Sequence, residues 1–153
     1  MSKGAVNFSE DNEWYTPKAL VDRFGQFDYD PATTSERAKI LDIPNYDTEE
    51  TDGLAQDWAK YKRIWINPPF TIKHKFLEKA WKTYQQTKAD IYFLCPIQFL
   101  TTKRSHNILG GGRIYLPSGR IKFEKSDGAR RSPAFGSVVI KLEDTWSIEP
   151  FEL

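Results

Sequence analysis

Residues 62–96 carry the pattern that most narrows the folds open to this chain. The run Ile64-Trp65-Ile66 predicts a buried strand over 62–66, and the apolar run at 91–95 predicts a second strand over 90–96. Between them, apolar side chains recur at helical spacing and predict an amphipathic helix over 72–87. Strand, helix and strand at this spacing form a βαβ unit, so the fold class is α/β and the sheet is at least partly parallel.

Weaker patterns on either side predict the remaining elements. A short helix is expected over 17–24, with Thr16 as its N-cap and Pro17 in its first position. Further short elements are expected as strands near 27–29 and 40–42, a helix from Glu36, and late strands over 113–116, 120–123 and 137–142. We therefore expect parallel strands early and antiparallel strands late. They would form one minimal domain over 13–153 that follows a loose lead-in over 1–12.

Composition limits the classes of protein to consider. The chain has 153 residues, 39% of them hydrophobic, which suits one globular domain. Its single cysteine, Cys95, and its two histidines, His74 and His106, predict neither a disulfide framework nor a metal cluster. No segment is long and apolar enough for a membrane span or a signal peptide, and we expect a cytoplasmic location.

Charge is strongly segregated, although the formal net charge is only +1. Residues 36–57 hold two basic and seven acidic side chains (−5), residues 60–88 hold eight and one (+7), and residues 103–131 hold eight and two (+6). Such separation favours a polyanion on one side of the molecule. A solvated helix face with ion pairs explains the 60–88 block slightly better, whereas the 103–131 block favours nucleic acid.

The tetrapeptide Asn67-Pro68-Pro69-Phe70 ends the first strand of the βαβ unit. Its two prolines make the turn stiff and leave its carbonyl groups pointing outward. The Asn67 side-chain carbonyl and the Pro68 carbonyl can then accept hydrogen bonds from one amino group, while Phe70 offers a flat face to a planar ring. A proline-terminated strand with an ordinary core aromatic explains these four residues equally well on their own.

A second polar turn, Asp30-Pro31, follows the strand predicted near 27–29. Ligands of open α/β sheets bind at the carboxyl ends of strands, and a carboxylate there can orient a hydroxyl or ammonium group. Taken alone, Asp30 is typical of a turn-forming aspartate before proline. The Pro-Pro turn downstream strengthens the interpretation of Asp30 as a ligand-binding residue.

The motifs, taken in order, resemble the phage-type DNA N6-adenine methyltransferase family. They are Trp14-Tyr15-Thr16-Pro17, Asp30-Pro31-Ala32, Asp52-Gly53-Leu54 with Asp57-Trp58, Asn67-Pro68-Pro69-Phe70, and Gly119-Arg120-Ile121-Lys122-Phe123. The similarity runs over nearly the whole chain, and only the combination of motifs is specific. It implies a Rossmann-like methyltransferase sheet and a phage or prophage origin. It also implies methyl transfer from S-adenosylmethionine to N6 of a flipped adenine in double-stranded DNA, without a metal.

The same resemblance assigns roles to individual residues. The catalytic turn would be Asn67, Pro68, Pro69 and Phe70, with the target amino group on Asn67 and the Pro68 carbonyl and with Phe70 stacked on the base. Around the cofactor would lie Trp14, Thr16, Pro17, Asp30, Pro31, Ala32 and Asp52, with Asp52 near its adenine. The candidate DNA contacts are clustered basic residues, namely Lys103, Arg104, Arg120, Lys122, Arg130 and Arg131.

Two positions depart from the family pattern and keep alternatives open. Thr33-Thr34-Ser35 stands where a Gly-rich turn usually follows the first acidic residue, and Asp42 is the candidate for the acidic residue that ends the second strand. One alternative function is methylation of an RNA base or a protein amide with the same cofactor. Another is a catalytically degenerate DNA-binding protein on the same scaffold.

Overall fold

The structure is a computed structural model that describes residues 14–125, 130–131 and 136–153, with the backbone alone described at 130–131. Its helices are α1 Lys18–Asp22, α2 Ser35–Ile40, α3 Lys73–Thr87 and α4 Lys103–Ile108. Its strands are β1 Tyr29–Asp30, β2 Asn45–Tyr46, β3 Arg63–Ile66, β4 Asp90–Pro96, β5 Gly112–Pro117, β6 Phe123–Glu124, β7 Arg130–Arg131, β8 Ser137–Lys141 and β9 Trp146–Phe151. The lead-in predicted over 1–12 lies outside the described residues.

One mixed sheet holds seven of these strands, in the order β2-β1-β3-β4-β8-β5-β9. The first four run parallel, and β8 pairs antiparallel with both β4 and β5. β9 pairs parallel with β5. The α/β class and the early parallel strands are confirmed, and β8 supplies the predicted late antiparallel direction.

The predicted βαβ unit is formed by β3, α3 and β4. Ile64, Trp65 and Ile66 are fully buried in β3, because the two faces of the sheet are both covered. Ile64 and Ile66 pack with α3 in one apolar cluster, whereas Trp65 packs with α1 in the other. The continuous apolar run of β4 has the same cause. Among the described residues, no helix is long and apolar enough to cross a membrane.

The structure corrects the prediction for the first helix. α1 is shorter than residues 17–24, and Pro17 precedes it in an extended conformation, with φ −70° and ψ 142°. Pro17 therefore occupies the N-cap position, and the prediction that Thr16 caps the helix is wrong. Thr16 has a different partner, described below.

The second strand was also predicted in the wrong place. Residues 40–42 are not a strand, because α2 continues to Ile40 and Asp42 has φ 57° in the turn that follows. The strand is β2, which pairs with β1. A two-residue strand with exposed side chains has no periodic pattern, so only its pairing partner identifies it.

Three later elements differ from prediction. Of residues 120–123, only Phe123 enters a strand, because pairing with β7 begins there. α4 is only six residues long, too short to show a helical period. β9 contains Pro150, which argues against a paired strand. The carbonyls of Thr145 and Phe151 accept hydrogen bonds from the β5 side, so Pro150 faces the open edge, where no N–H is needed.

Candidate active site

The order of the sheet reverses between β1 and β3, because β2 lies on one side of β1 and the later strands on the other. Ligands of open α/β sheets bind outside the carboxyl ends of the strands at such a point. A cleft lies here, and we call it the switch-point cleft. Its lining residues are Trp14, Tyr15, Thr16, Asp30, Ala32, Thr33, Thr34, Arg37, Leu41, Asn67 and Pro69.

Two carbonyls of the turn after β3 accept hydrogen bonds from the residues that follow it. Ile72 N–H donates to the Pro69 carbonyl at 3.3 Å, and Lys73 Nζ donates to the Phe70 carbonyl at 2.9 Å. Among the described residues, no donor reaches the Pro68 carbonyl. Pro68 is buried and does not line the cleft, and its carbonyl is the backbone acceptor immediately after Asn67.

The Asn67 side chain is fixed by the segment that precedes α1. Asn67 Nδ2 donates to the Trp14 carbonyl at 2.6 Å and to Thr16 Oγ1 at 2.9 Å. A backbone carbonyl can only accept, so the atom that faces Trp14 must be the amide nitrogen. Both N–H groups of the amide are thus used, and Asn67 Oδ1 remains as an acceptor.

Aromatic rings continue from the turn to the small β6–β7 hairpin. The Trp14 and Phe70 ring centroids are 6.5 Å apart with a tilt of 33°, and Trp14 meets Phe123 edge-on at 6.1 Å. Lys125 Nζ lies 3.9 Å from the centroid of the Trp14 ring. These contacts place Trp14 between the acceptor turn and a basic side chain.

Asp30 is a buried acid at the carboxyl end of β1. Its side chain is 2% exposed, and its Oδ1 accepts a hydrogen bond from Ala32 N–H at 2.9 Å. In the described part of the chain no ion pair reaches it. Burial raises the pKa of Asp30 to about 7, opposed by the smaller effect of the Ala32 N–H. A buried carboxylate without a cation is costly, so this cleft favours a positively charged ligand.

Arg37, which was not predicted as a site residue, links the segment before α1 to β6. Its Nη2 donates to the Thr16 carbonyl at 2.7 Å, and its Nη1 donates to Glu124 Oε1 at 2.9 Å. Its guanidinium also lies over the Tyr15 ring, 5.3 Å from the centroid. Arg37 is 9% exposed, so these bonds form in a water-poor setting where they are strong.

A sequence model of the family described as DNA N-6-adenine-methyltransferase (Dam) matches residues 4–149. The chain belongs to this family. It is also 34% identical over 71 residues to a protein of Escherichia phage T1 named DNA N-6-adenine-methyltransferase. That match covers 44% of this chain and 29% of the phage protein, so the chain spans less than a third of its relative. The family resemblance inferred from the motifs is confirmed.

In this member of the DNA N-6-adenine-methyltransferase family, six of the predicted catalytic and cofactor residues lie together around one cleft. Those that line the switch-point cleft are Trp14, Thr16, Asp30, Ala32, Asn67 and Pro69. The other predicted residues do not line this cleft, namely Pro17, Pro31, Asp52, Pro68 and Phe70. Pro17 lines a second groove beside α1. Asp52 has φ 55° and accepts a hydrogen bond from Leu54 N–H. Its neighbour Gly53 packs so closely on the Asp30 turn that an added Cβ would lie 1.9 Å from the Pro31 carbonyl oxygen.

Asp47, rather than Asp42, is the acidic residue that follows the second strand. Asp47 accepts a hydrogen bond from the Tyr29 hydroxyl, and its backbone pairs with Asp30 and Thr33. Asp42 lies in the turn after α2, where its carboxylate is 70% exposed and faces Lys18 at 3.5 Å. The candidate Asp42 is therefore wrong as the strand-end acid. Asp47 could be identified only once the position of β2 was known.

The candidate DNA contacts fall on different surfaces of this family member. Lys103 and Arg104 lie on α4. Burial lowers the pKa of Lys73 and of His74, and the nearby Arg104 guanidinium lowers both further. Arg120 and Lys122 instead line a groove beside α1, on the opposite face of the sheet. The side chains of the predicted contacts Arg130 and Arg131 lie outside the described part of the structure.

Within 14–125, 130–131 and 136–153, no group of three or more His, Cys, Asp or Glu side chains could hold a metal ion. Cys95 is buried, and burial raises its pKa to about 12. It is therefore a protonated core thiol at neutral pH.

Proposed function

We propose that this protein transfers a methyl group from S-adenosylmethionine to N6 of an adenine flipped out of double-stranded DNA. The observation that carries the proposal is the state of Asn67. Its two N–H groups are held by Trp14 and Thr16, so its carbonyl is left to accept beside the carbonyl of Pro68. Family membership supports the same reaction.

A Rossmann-like sheet is part of this proposal. The parallel order β2-β1-β3-β4 with its reversal at β1 supports it, because dinucleotide-type folds bind their ligands at such reversals. The buried acid at the end of β1 and the polar turn at the end of β3 both lie at this edge. Cofactor and acceptor would therefore meet across one cleft.

The residues of the cleft suit a cofactor that carries positive charge. Asp30 is buried without a cation among the described residues, and it would bind the ammonium group of a methionine moiety. S-adenosylmethionine would supply an activated methyl group, whose bond to sulfur breaks as the bond to nitrogen forms. Trp14, which lines the same cleft, would lie beside the ligand. Asp47, at the end of β2, would lie toward its nucleoside portion.

Asn67 and Pro68 would perform the chemistry on the acceptor. The lone pair of an adenine amino group is delocalised into the ring, so the nitrogen is a weak nucleophile. Two carbonyl acceptors that hold its two N–H bonds favour a pyramidal nitrogen and stabilise the positive charge that develops on it. One proton then leaves the nitrogen for water. Alignment of the reacting atoms supplies much of the remaining acceleration.

Phe70 would hold the extruded base. Flipping a base out of a duplex costs roughly a few kcal/mol, and stacking on one aromatic ring returns on the order of 1–3 kcal/mol. Phe70 is half-buried and lies beside Trp14, so one ring face can be shared with the protein while the other meets the base. Lys103 and Arg104 on α4 would bind phosphates near the start of α3, where Arg104 lies close to Lys73 and His74. Since DNA is the proposed substrate, we expect the protein to act in the cytoplasm of the host.

The direct test uses purified protein with labelled S-adenosylmethionine and unmethylated duplex DNA, followed by mass spectrometry of the nucleosides. We expect N6-methyladenine in the digest of DNA treated with the wild-type protein. Asn67→Ala should lose about a hundredfold or more of this activity and should bind DNA almost as well as the wild type.

Three other results would redirect or correct the proposal. Cofactor binding without transfer to DNA would favour an RNA base or a protein amide as the acceptor. No cofactor binding, measured by calorimetry, would favour a degenerate DNA-binding protein. Equal methylation by Asn67→Ala would remove Asn67 from the acceptor site.

A further inference from the structure

We infer that the segment Trp14-Tyr15-Thr16 sets the orientation of the Asn67 amide, with Thr16 as a positioning residue, and that it makes asparagine rather than aspartate necessary at position 67. The role in catalysis rests on the proposed function. The hydrogen bonds that define it do not, and they can be tested separately.

The segment uses the whole donor capacity of the amide. A primary amide has two N–H groups, and those of Asn67 reach the Trp14 carbonyl at 2.6 Å and Thr16 Oγ1 at 2.9 Å. Rotation of the amide by 180° would set Oδ1 against the Trp14 carbonyl, where two acceptors repel each other. The segment therefore selects the one orientation in which Oδ1 is left for an incoming amino group.

The segment is itself anchored and is not a loose lead-in at this point. Tyr15 N–H donates to the Glu124 carbonyl at 2.8 Å, and Glu124 N–H donates to the Tyr15 carbonyl at 2.9 Å. Arg37 holds the Thr16 carbonyl and the Glu124 carboxylate at once. Thr16 is 4% exposed. A buried anchor of this kind can impose an orientation on its partner, rather than adapt to it.

The same geometry predicts which side chain position 67 accepts. A carboxylate is a stronger acceptor than an amide for an amino group, so acceptor chemistry alone would tolerate Asn67→Asp. In this protein one carboxylate oxygen would lie against the Trp14 carbonyl, which has no proton to give. The Thr16 hydroxyl can reverse and donate, but the Trp14 carbonyl cannot. The segment thus excludes aspartate at a position where the reaction does not.

The first experiment separates positioning from cofactor binding at Thr16. We compare Thr16→Val, which keeps the shape and loses the hydroxyl, with Thr16→Ser, which keeps the hydroxyl. Thr83→Val is the matched control, because Thr83 is 6% exposed and its hydroxyl bonds within α3. At saturating cofactor and DNA, we expect Thr16→Val to lower kcat by about tenfold to a hundredfold. Cofactor Kd and DNA KM should change little, and Thr16→Ser should restore most of the turnover.

A raised cofactor Kd with unchanged kcat in Thr16→Val would overturn the inference, because Thr16 would then be a cofactor contact. Equal losses of turnover in Thr16→Val and Thr83→Val would also overturn the inference. For position 67, we expect Asn67→Asp to lose as much turnover as Asn67→Ala. Turnover of Asn67→Asp within about threefold of wild type would also overturn the inference, since acceptor chemistry alone predicts it.

A readout without activity keeps this test independent of the proposed function. In ¹H–¹⁵N spectra, the two side-chain N–H signals of Asn67 should be protected from exchange in the wild type and should lose protection in Thr16→Val. Their protection in a wild type that does not methylate DNA would reject the proposed function and keep the anchoring. Their free exchange in an active wild type would reject the anchoring and keep the function.

Discussion

The two turns that face the switch-point cleft are built on opposite principles. The turn after β3 is fixed by hydrogen bonds, with Asn67 held by Trp14 and Thr16 and with the Phe70 carbonyl held by Lys73. The turn after β1 buries a single carboxylate, Asp30, with one backbone donor and no cation among the described residues. The first is set before any ligand arrives, whereas the second leaves a carboxylate that a cationic ligand would complete under the proposed function.

This difference predicts that pH acts on the Asp30 turn. Burial raises the pKa of Asp30 from 3.8 to about 7. Between these values the folded protein holds a proton that the unfolded chain has released. The contribution of Asp30 to the free energy of unfolding is therefore full below the unfolded pKa, falls as pH rises through about 7, and is constant above that. The fall is on the order of a few kcal/mol.

Asp30→Asn isolates this effect. Denaturant unfolding of wild type and Asp30→Asn should give similar stabilities near pH 4 and a clear advantage for the variant at pH 8.5. A stability difference between the two proteins that is the same at both pH values would contradict the buried, ligand-dependent charge.

The second prediction concerns the ligand that completes the Asp30 turn. Asp30→Asn should weaken S-adenosylmethionine binding by about tenfold to a hundredfold, because a hydrogen bond to a charged group contributes about 1.5–3 kcal/mol. Isothermal titration calorimetry at pH 8 measures it. Asn67→Ala is the control and should bind the cofactor like the wild type. Equal loss in both variants would mean that the two turns do not divide their roles.

The third prediction sharpens the role of the acceptor turn. Phe70→Ala should weaken binding to DNA with an extruded or mismatched target base by about tenfold, which corresponds to the lower part of a stacking contribution of about 1–3 kcal/mol. Fluorescence of 2-aminopurine at the target position reports the extrusion. Unchanged fluorescence and affinity in Phe70→Ala would show that the base stacks elsewhere.

The smallest expected effect is on phosphate binding beside the acceptor turn. Arg104→Ala should reduce the slope of log K against log salt by about 0.9, the value for one phosphate contact. Lys88→Ala is the matched control, because Lys88 at the far end of α3 is paired with Asp144 at 2.8 Å. An unchanged slope in Arg104→Ala would indicate that DNA binds the surface that carries Arg120 and Lys122 instead.

The two turns also differ in how far the sequence predicts them. The strand, the Pro-Pro turn and the helix after it follow from local signals, since Ile64-Trp65-Ile66 and the helical spacing after Phe70 are adjacent in the chain. The position of Asp30 at a strand end is predictable for the same reason. Its lack of a cation is not, because that depends on which side chains the fold brings near it.

Long-range partners account for most of what the sequence missed. Thr16 has the pattern of a helix cap, but its hydroxyl is taken by Asn67, 51 positions away. Arg37 joins Thr16 to Glu124, which lies 87 positions after Arg37 in the chain. Asp47 was missed because β2 is defined only by its pairing with β1. Such relations have no local pattern, so only the folded chain displays them.

Gly53 has a consequence for how this protein can vary. The loop over residues 47–53, which is rich in acidic residues, lies against the Asp30 turn at Gly53, where even one methyl group would collide with the Pro31 carbonyl. Glu50 in the same loop is exposed, so a substitution there should cost little. A side-chain carbon at position 53 would push the loop away from the Asp30 turn. A position with no chemistry of its own can thereby set the spacing of the site, and random mutagenesis should find loss-of-function variants there.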